Sequence, residues 1–358
     1  MKFIFYSPVA FEQWDWRNSI EKGIGGSETS HVEMAWRLAR RGHEVITYAP
    51  IPDDCPGEWR GTIWKPIDEV DWSQDGVWLL YRCPECIDQF TDDHPNKTLW
   101  LINQDWDYRT LTKERIEKLD KMVVLCHWHE RYMLELHPTL AGKIMVTSNG
   151  LKADLIEQVE KESITRNPYR IMYASSPDRG LANVIRSFAI AREFEPRLEL
   201  HVFYGFNNLR KLQRMRKLQA AADLCERLMR TVPNVTFHGR VTQDQLYREW
   251  CQTGMWVYRT DFHETSCITC MEAQGLGAIP IVSPVAALDE NVHFGEAIEG
   301  EADDPLVGAE FAQAIVRWAH PQRQEGVRKV MMPYARKRFD WEVFVSQWEK
   351  EAENARAN

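Results

Sequence analysis

From Lys2 onward the chain alternates short continuous apolar runs with longer segments whose apolar residues recur at helical spacing. A run of five or six apolar residues without polar alternation is a strand buried on both faces. Such strands pair in parallel, and each is reached through a crossover helix. Residues 2–7 form the first run and end in the turn-prone Ser7-Pro8. A helical stripe follows over 27–41 (Val32, Ala35, Trp36, Leu38, Ala39), with Gly42 as its stop, and 44–49 is the next strand. Further runs at 77–81, 98–103, 121–126 and 143–147 make the first 150 residues an open α/β layer. After a charged helical stretch at 152–164 and the Asn167-Pro168 break, the alternation restarts. Strands are expected at 170–174, 198–204, 235–238, 255–258 and 278–283, and helices at 181–194, 209–231, 243–252 and 265–276. The tail 334–355 reads as helical, with Trp341 and Trp348 on one face.

The length of 358 residues fits two such domains at roughly 150 residues each. The expected organisation is a Rossmann-like domain over 1–150, a linker over 151–168, a second Rossmann-like domain over 169–335 and a terminal crossover helix over 336–358. Average apolar and charged content excludes wholesale disorder and collagen-like structure, and 44 basic against 53 acidic residues argues against a dedicated nucleic-acid module. Pro8, Glu12 and Asp15 interrupt the start before a signal-peptide core develops, and no run nears eighteen apolar residues, so no transmembrane segment and a cytoplasmic location are expected. Eight scattered cysteines fit free thiols in a reducing compartment. The pairs Cys83/Cys86 and Cys267/Cys270 lie too far apart for a zinc ribbon or finger. His127, His129 and His137 have no acidic or Cys partner at metal spacing and are expected on a helix surface.

Two constellations carry chemistry. The turn Gly23-Ile24-Gly25-Gly26-Ser27-Glu28 opens a helix, where backbone N–H groups can approach a phosphate. Glu28 replaces the third glycine of a dinucleotide fingerprint, and Tyr48-Ala49-Pro50 ends the second strand without the required acid, which disfavours NAD. The second constellation is the segment from Phe262 to Ser283. Glu264 and Glu272 are separated by seven residues, about 12 Å along a helix, a span that suits rings on either side of a diphosphate. Free N–H groups at Thr265, Ser266, Cys267 and Ile268 are expected between them. A strand precedes, and an exit through Ala273, Gly277 and Pro280 leads to another buried strand.

This segment resembles the signature E-x7-E followed by A-x-x-x-G-x-P-V of retaining glycosyltransferases of GT-B fold, the glycogen-synthase-like family four (glycosyl transferases group 1). The likeness extends through Gly25-Gly26-Ser27-Glu28, Ser148-Asn149-Gly150, Ser175–Leu181, Phe237–Val241 and Asp340-Trp341-Glu342. It implies two Rossmann-like α/β/α domains facing a central cleft, with the acceptor on the first, a nucleotide-diphosphate sugar on the second, and the last helix crossing back. It implies that Glu264 bonds donor-sugar hydroxyls, Glu272 holds the ribose and Arg179 contacts the diphosphate. Gly25 and Gly26 would approach that diphosphate from the other domain, Ser175 would line the basic loop, and Arg240 and Val241 would lie near the base. UDP- or GDP-sugar is the implied co-substrate, with no permanently bound cofactor and no metal required. Ser175 and Ser176 stand where the family carries an arginine, and Asn103-Gln104-Asp105 where it often carries histidine, leaving Asp105 as a candidate catalytic group and Gln104 as an acceptor contact. Nothing resembles an activated nucleophile.

Ten of fifteen tryptophans fall within the first 150 residues, and Trp14 and Trp16 in the polar loop are expected to form a stacking wall for an acceptor. The acceptor stays open among a glycan, a lipid-linked saccharide at a membrane surface, a small molecule and a modified nucleic-acid base, the last because residues 206–230 are basic. A same-fold nucleotide-sugar epimerase and a non-catalytic binding protein are the alternatives.

Overall fold

A computed structural model describes the chain apart from residues 11, 92–96, 105–109, 208, 209, 211–215 and 358. It divides into two compact units, one made of Met1–Gly150 with Asp340–Asn358, the other of Leu151–Phe339.

The first unit holds an eight-stranded sheet: β1 (Lys2–Tyr6), β2 (Glu44–Ala49), β3 (Glu58–Trp59), β4 (Thr62–Pro66), β5 (Gly76–Tyr81), β6 (Lys97–Ile102), β7 (Lys121–Val124) and β8 (Ile144–Val146). The spatial order is β3-β4-β2-β1-β5-β6-β7-β8, parallel except for the β3–β4 hairpin, which lies outside the expected runs because β3 is two residues long. The helix Gly26–Arg40 lays Met34, Ala35 and Leu38 against Phe3, Phe5 and Leu79. Gly42, at φ 88°, ends it in the left-handed region that an L side chain enters at a cost.

The final helix, Trp341–Ala357, buries Trp341, Val345, Trp348 and Ala352 in the same core, a helical stripe with both expected tryptophans on it. Arg37, Arg40 and Arg41 reach Glu342, and Arg41 and His43 reach Glu349, so charge at the C-terminal end of one helix fastens the other. The tail is not one helix from Tyr334 on. Pro321–Arg338 forms a separate helix, and the Asp340 carboxylate accepts the N–H of Glu342 at 2.9 Å to start the last one.

The second unit holds a six-stranded all-parallel sheet: β9 (Asn167–Tyr173), β10 (Glu199–Phe203), β11 (Val235–Gly239), β12 (Thr253–Tyr258), β13 (Ile279–Val282) and β14 (Glu296–Ala297). Its order is β11-β10-β9-β12-β13-β14. Read within this unit, the third, second, first, fourth, fifth and sixth strands follow one another, the doubly wound order whose direction reverses between β9 and β12. The expected linker is part of this unit: Leu151, Ile156 and Val159 sit in its core. Of the expected basic helix, Arg216–Thr231 is described.

Cys83 and Cys86 are joined as a disulfide, which corrects the expectation of free thiols throughout. A positive φ of 52° at Arg82 and a tight turn over Pro84–Gln89 bring their Cα atoms to 5.5 Å. Cys267 and Cys270 stay free. Among the described residues no helix is long and apolar enough to cross a membrane.

Candidate active site

Parallel strands leave their loops at the carboxyl edge of the sheet, and where strand order reverses two adjacent loops diverge and open a crevice. In the second unit these are the loops after β9 and β12, and they carry Arg179 and Glu264.

The first loop turns through Pro177–Arg179 and reaches Gly180 at φ 107° before the helix Leu181–Phe194. A Cβ on Gly180 would collide with the carbonyl oxygen of Arg259, so the close approach of this turn to the end of β12 requires glycine. The Tyr173 hydroxyl donates to the Ser176 carbonyl at 2.7 Å and braces the turn from below. Ser175 is buried, while the Ser176 hydroxyl faces Asp178 at 2.5 Å. In the second loop the Glu264 N–H donates to Phe262 O at 2.9 Å and the Glu264 carbonyl accepts from Ala287 N at 3.0 Å.

So placed, Arg179 Nη1 donates to Glu264 Oε1 at 3.0 Å and Oε2 at 3.2 Å, and the Tyr258 hydroxyl donates to Oε1 at 2.6 Å. The Arg179 guanidinium lies 4.1 Å from the centroid of the Phe262 ring. The Glu264 side chain is 8% exposed and that of Arg179 36%, so the carboxylate is the floor of the cluster and the guanidinium its open side. Burial pushes the Arg179 pKa down, but attraction to Glu264 outweighs it and the net direction is upward, leaving a permanent cation. Burial holds the phenols of Tyr173 and Tyr258 well above their ordinary range, so both remain donors. Tyr258 escapes sequence reading because it is also the last residue of a fully buried strand.

Cys267 adopts φ 60° at the start of the helix Ile268–Gly275, which begins within the segment expected to offer free N–H groups. Burial, then the neighbouring Glu264, raise its thiol well above the ordinary value, which suits packing and not nucleophilic attack. The Ser266 hydroxyl is buried without a partner among the described residues, while the Ser266 carbonyl accepts from Asn291 Nδ2 at 2.9 Å. Thr265 is half-buried beside Glu264. Glu272 lies one turn into the helix, 5% exposed, with one oxygen accepting from the Trp250 indole at 3.2 Å. Burial raises its carboxyl to about 7, against smaller lowering by Trp250 and Lys152. Arg240 and Val241 follow β11 at the same carboxyl edge, Arg240 lying 5.4 Å over Tyr204 and Val241 partly buried.

In the first unit, Gly25 caps the helix Gly26–Arg40 and leaves room for the Glu28 carboxylate, whose Oε1 accepts from Arg82 Nη2 at 2.9 Å. Trp14 corrects the stacking-wall expectation. It is 2% exposed, edge-on to His31 and Trp64, and belongs to a core of Val32, Trp36, Ala49 and Trp64. Trp16 stacks on Trp59 at 5.0 Å. His129 is also not a surface residue: it is fully buried and meets Asn103 Nδ2 at 2.9 Å, whereas His127 is exposed and pairs with Glu130. Gln104 follows that Asn103 at the end of β6, and Asp105 lies outside the described residues. Among the described residues no group of three or more His, Cys, Asp or Glu could hold a metal ion.

No protein-family model and no curated protein sequence matches the chain. Solved structures do. A sucrose-phosphate synthase from Thermosynechococcus elongatus aligns over 99% of both chains with a TM-score of 0.72 at 15% identity. HepE of Anabaena in complex with UDP-glucose aligns over 100% of both at 0.71 and 12%. A glycosyltransferase from Rickettsia africae aligns over 99% of this chain and 98% of its own at 0.73 and 11%. The fold of this chain is therefore the one these structures share, the GT-B type.

Proposed function

We propose that this protein is a retaining glycosyltransferase of the family-four kind that moves a sugar from a nucleotide-diphosphate sugar to a hydroxyl acceptor. The observation that carries the reading is the Arg179–Glu264–Tyr258 cluster at the strand-order reversal of the second unit. The carboxylate at the floor of the cluster accepts from sugar hydroxyls, and the cation at its open side meets the diphosphate. The bound UDP-glucose of HepE, on the same fold, supports a donor of this class.

In this mechanism the acceptor oxygen bonds to the anomeric carbon from the face the phosphate leaves. The bond from that carbon to the phosphate oxygen breaks with its electron pair on the nucleoside diphosphate, which also takes the acceptor proton. Arg179 stabilises the negative charge gained by the leaving group, an interaction stronger in the transition state than before it. Arg179 pairs with Glu264, and donor binding exchanges part of that pair for phosphate oxygens. Glu264, held by Tyr258, orients the sugar, and Glu272 holds the ribose. Arg240, Val241 and Ser175 line the nucleotide, with Ser266 and Ile268 offering polar groups at the helix start. Gly25 and Gly26 are proposed as phosphate-facing N–H donors, and Gln104 and Asp105 as groups near the acceptor. The donor is read as a UDP- or GDP-sugar without metal, and the chain as cytoplasmic.

The test is a panel of nucleotide sugars screened for binding, followed by transfer and donor-cleavage assays with Glu264→Gln and Arg179→Gln. Each variant is expected to lower kcat about 10²- to 10³-fold, the usual loss for one preorganised charge-stabilising group. Transfer by Glu264→Gln at the wild-type rate would sink the assignment.

A further inference from the structure

The amino edge of the second sheet, opposite the edge that carries Arg179 and Glu264, also presents an organised cluster of charge. A cavity of about 530 Å³, open to solvent on one side, lies there between the start of β9 and the helix Pro321–Arg338. Arg166, Arg328 and Lys329 line it against a single carboxylate, Glu325.

Arg166, just before β9, donates to the carbonyls of Trp250 at 3.0 Å and Leu276 at 2.7 Å, and also to that of Thr253. All three acceptors are neutral, and Arg166 makes no ion pair among the described residues. Arg328 donates to Gly277 O at 2.8 Å, to Gln324 at 3.1 Å and to Glu325 at 2.9 Å. The two arginines crowd one glycine: a Cβ on Gly277 would stand 2.9 Å from Arg328 Cδ and 3.0 Å from Arg166 Nη2. Burial lowers both guanidiniums, that of Arg166 to about 10 with the nearby Arg328 adding to the effect, which marks positive charge held out of water with little counter-charge.

Fastening the carbonyls at the ends of the helices Gln243–Gln252 and Ile268–Gly275 accounts for the arginines' hydrogen bonds. It does not account for the cavity, nor for Lys329, an exposed ammonium without an ion pair among the described residues. Pro321 and Gln322 also line the cavity, so the positive end of an 18-residue helix adds to the same field.

We propose that this cavity is an anion site, remote from the donor, that takes a phosphate or phosphate ester on Arg166, Arg328, Lys329 and Gln322. It is independent of the proposed transferase activity.

Titration calorimetry on the full chain at constant ionic strength tests it, with inorganic phosphate and glucose 6-phosphate as separate probes. Arg179→Gln serves as the background in which the donor site is weakened. Phosphate is expected to bind in that background, and the double variant Lys329→Glu/Gln322→Glu to weaken it about tenfold or more while leaving UDP binding unchanged. Lys329→Met, which adds no repulsion, should show a smaller loss in the same direction. Tighter binding of glucose 6-phosphate supports an ester as the occupant, and equal binding supports phosphate alone. Absence of binding in the Arg179→Gln background, or phosphate affinity unmoved by the double variant, overturns the proposal.

Discussion

Replacing Glu272 with Gln should stabilise the folded chain at neutral pH while weakening donor binding, and both effects follow from where the carboxyl sits. It is 5% exposed and accepts a hydrogen bond from the Trp250 indole at 3.2 Å. Burial raises its pKa from an ordinary 4.5 to about 7. The folded state therefore keeps this proton to higher pH than the unfolded chain does, and stability is lost as pH rises through that window. At about 1.36 kcal/mol per unit, the accumulated cost is about 1 kcal/mol at pH 5, about 2 at pH 6 and about 3 above pH 7. Gln preserves the shape and an acceptor for the Trp250 indole, but it cannot ionise. Its added N–H donors return about 1 kcal/mol of cost if they stay unpartnered. Urea unfolding followed by tryptophan emission at pH 5, 6, 7 and 8 should give a variant-minus-wild-type difference that grows with pH by about 2 kcal/mol. A constant offset across that range would refute the reasoning. A carboxylate kept buried at such a cost is expected to serve a ligand. The same variant should bind the donor at least about tenfold more weakly, as loss of a charged acceptor for ribose hydroxyls requires.

Three other substitutions separate the roles assigned above. Tyr258→Phe removes the 2.6 Å donor to Glu264; a hydrogen bond to a charged group is worth about 1.5–3 kcal/mol, so kcat/KM should fall about tenfold or more, and unchanged kinetics would take Tyr258 out of the site. Gly180→Ala places a side chain at φ 107° against the Arg259 carbonyl; strain of about 1–3 kcal/mol plus the collision should lower the melting temperature and displace Arg179, and a donor Kd equal to wild type would show that the turn does not position it. Trp14→Ala empties a core position and should destabilise the protein by about 3–5 kcal/mol, read by urea unfolding; a change in acceptor KM without loss of stability would restore the stacking wall.

What was legible in the sequence is what the backbone repeats. Unbroken apolar runs separated by amphipathic stretches admit little besides parallel α/β layers. Loops that follow such runs must lie at one edge, which already puts Arg179 and Glu264 on the same side of a sheet. Burial of single residues was less legible, because it depends on partners far along the chain. The helix His127–Leu136 has a mixed face by spacing, yet His129 is buried because Asn103, 26 residues earlier, meets its ring. Trp14 lies in a polar segment and is buried because His31 and Trp64 supply an aromatic chamber from the helix Gly26–Arg40 and from β4. Tyr258 shows the limit most clearly. Its strand position, Thr253–Tyr258, follows from the apolar run, and an apolar run gives the phenol ring a packing role only. Its hydroxyl becomes part of the chemistry because the adjacent loop folds back to set Glu264, six residues on, at 2.6 Å from it. A residue that ends a buried strand and carries a polar tip thus belongs to the core through its ring and to the site through its oxygen. Terminal positions of parallel strands at the order reversal are therefore where polar-tipped aromatics merit reading as candidate site residues.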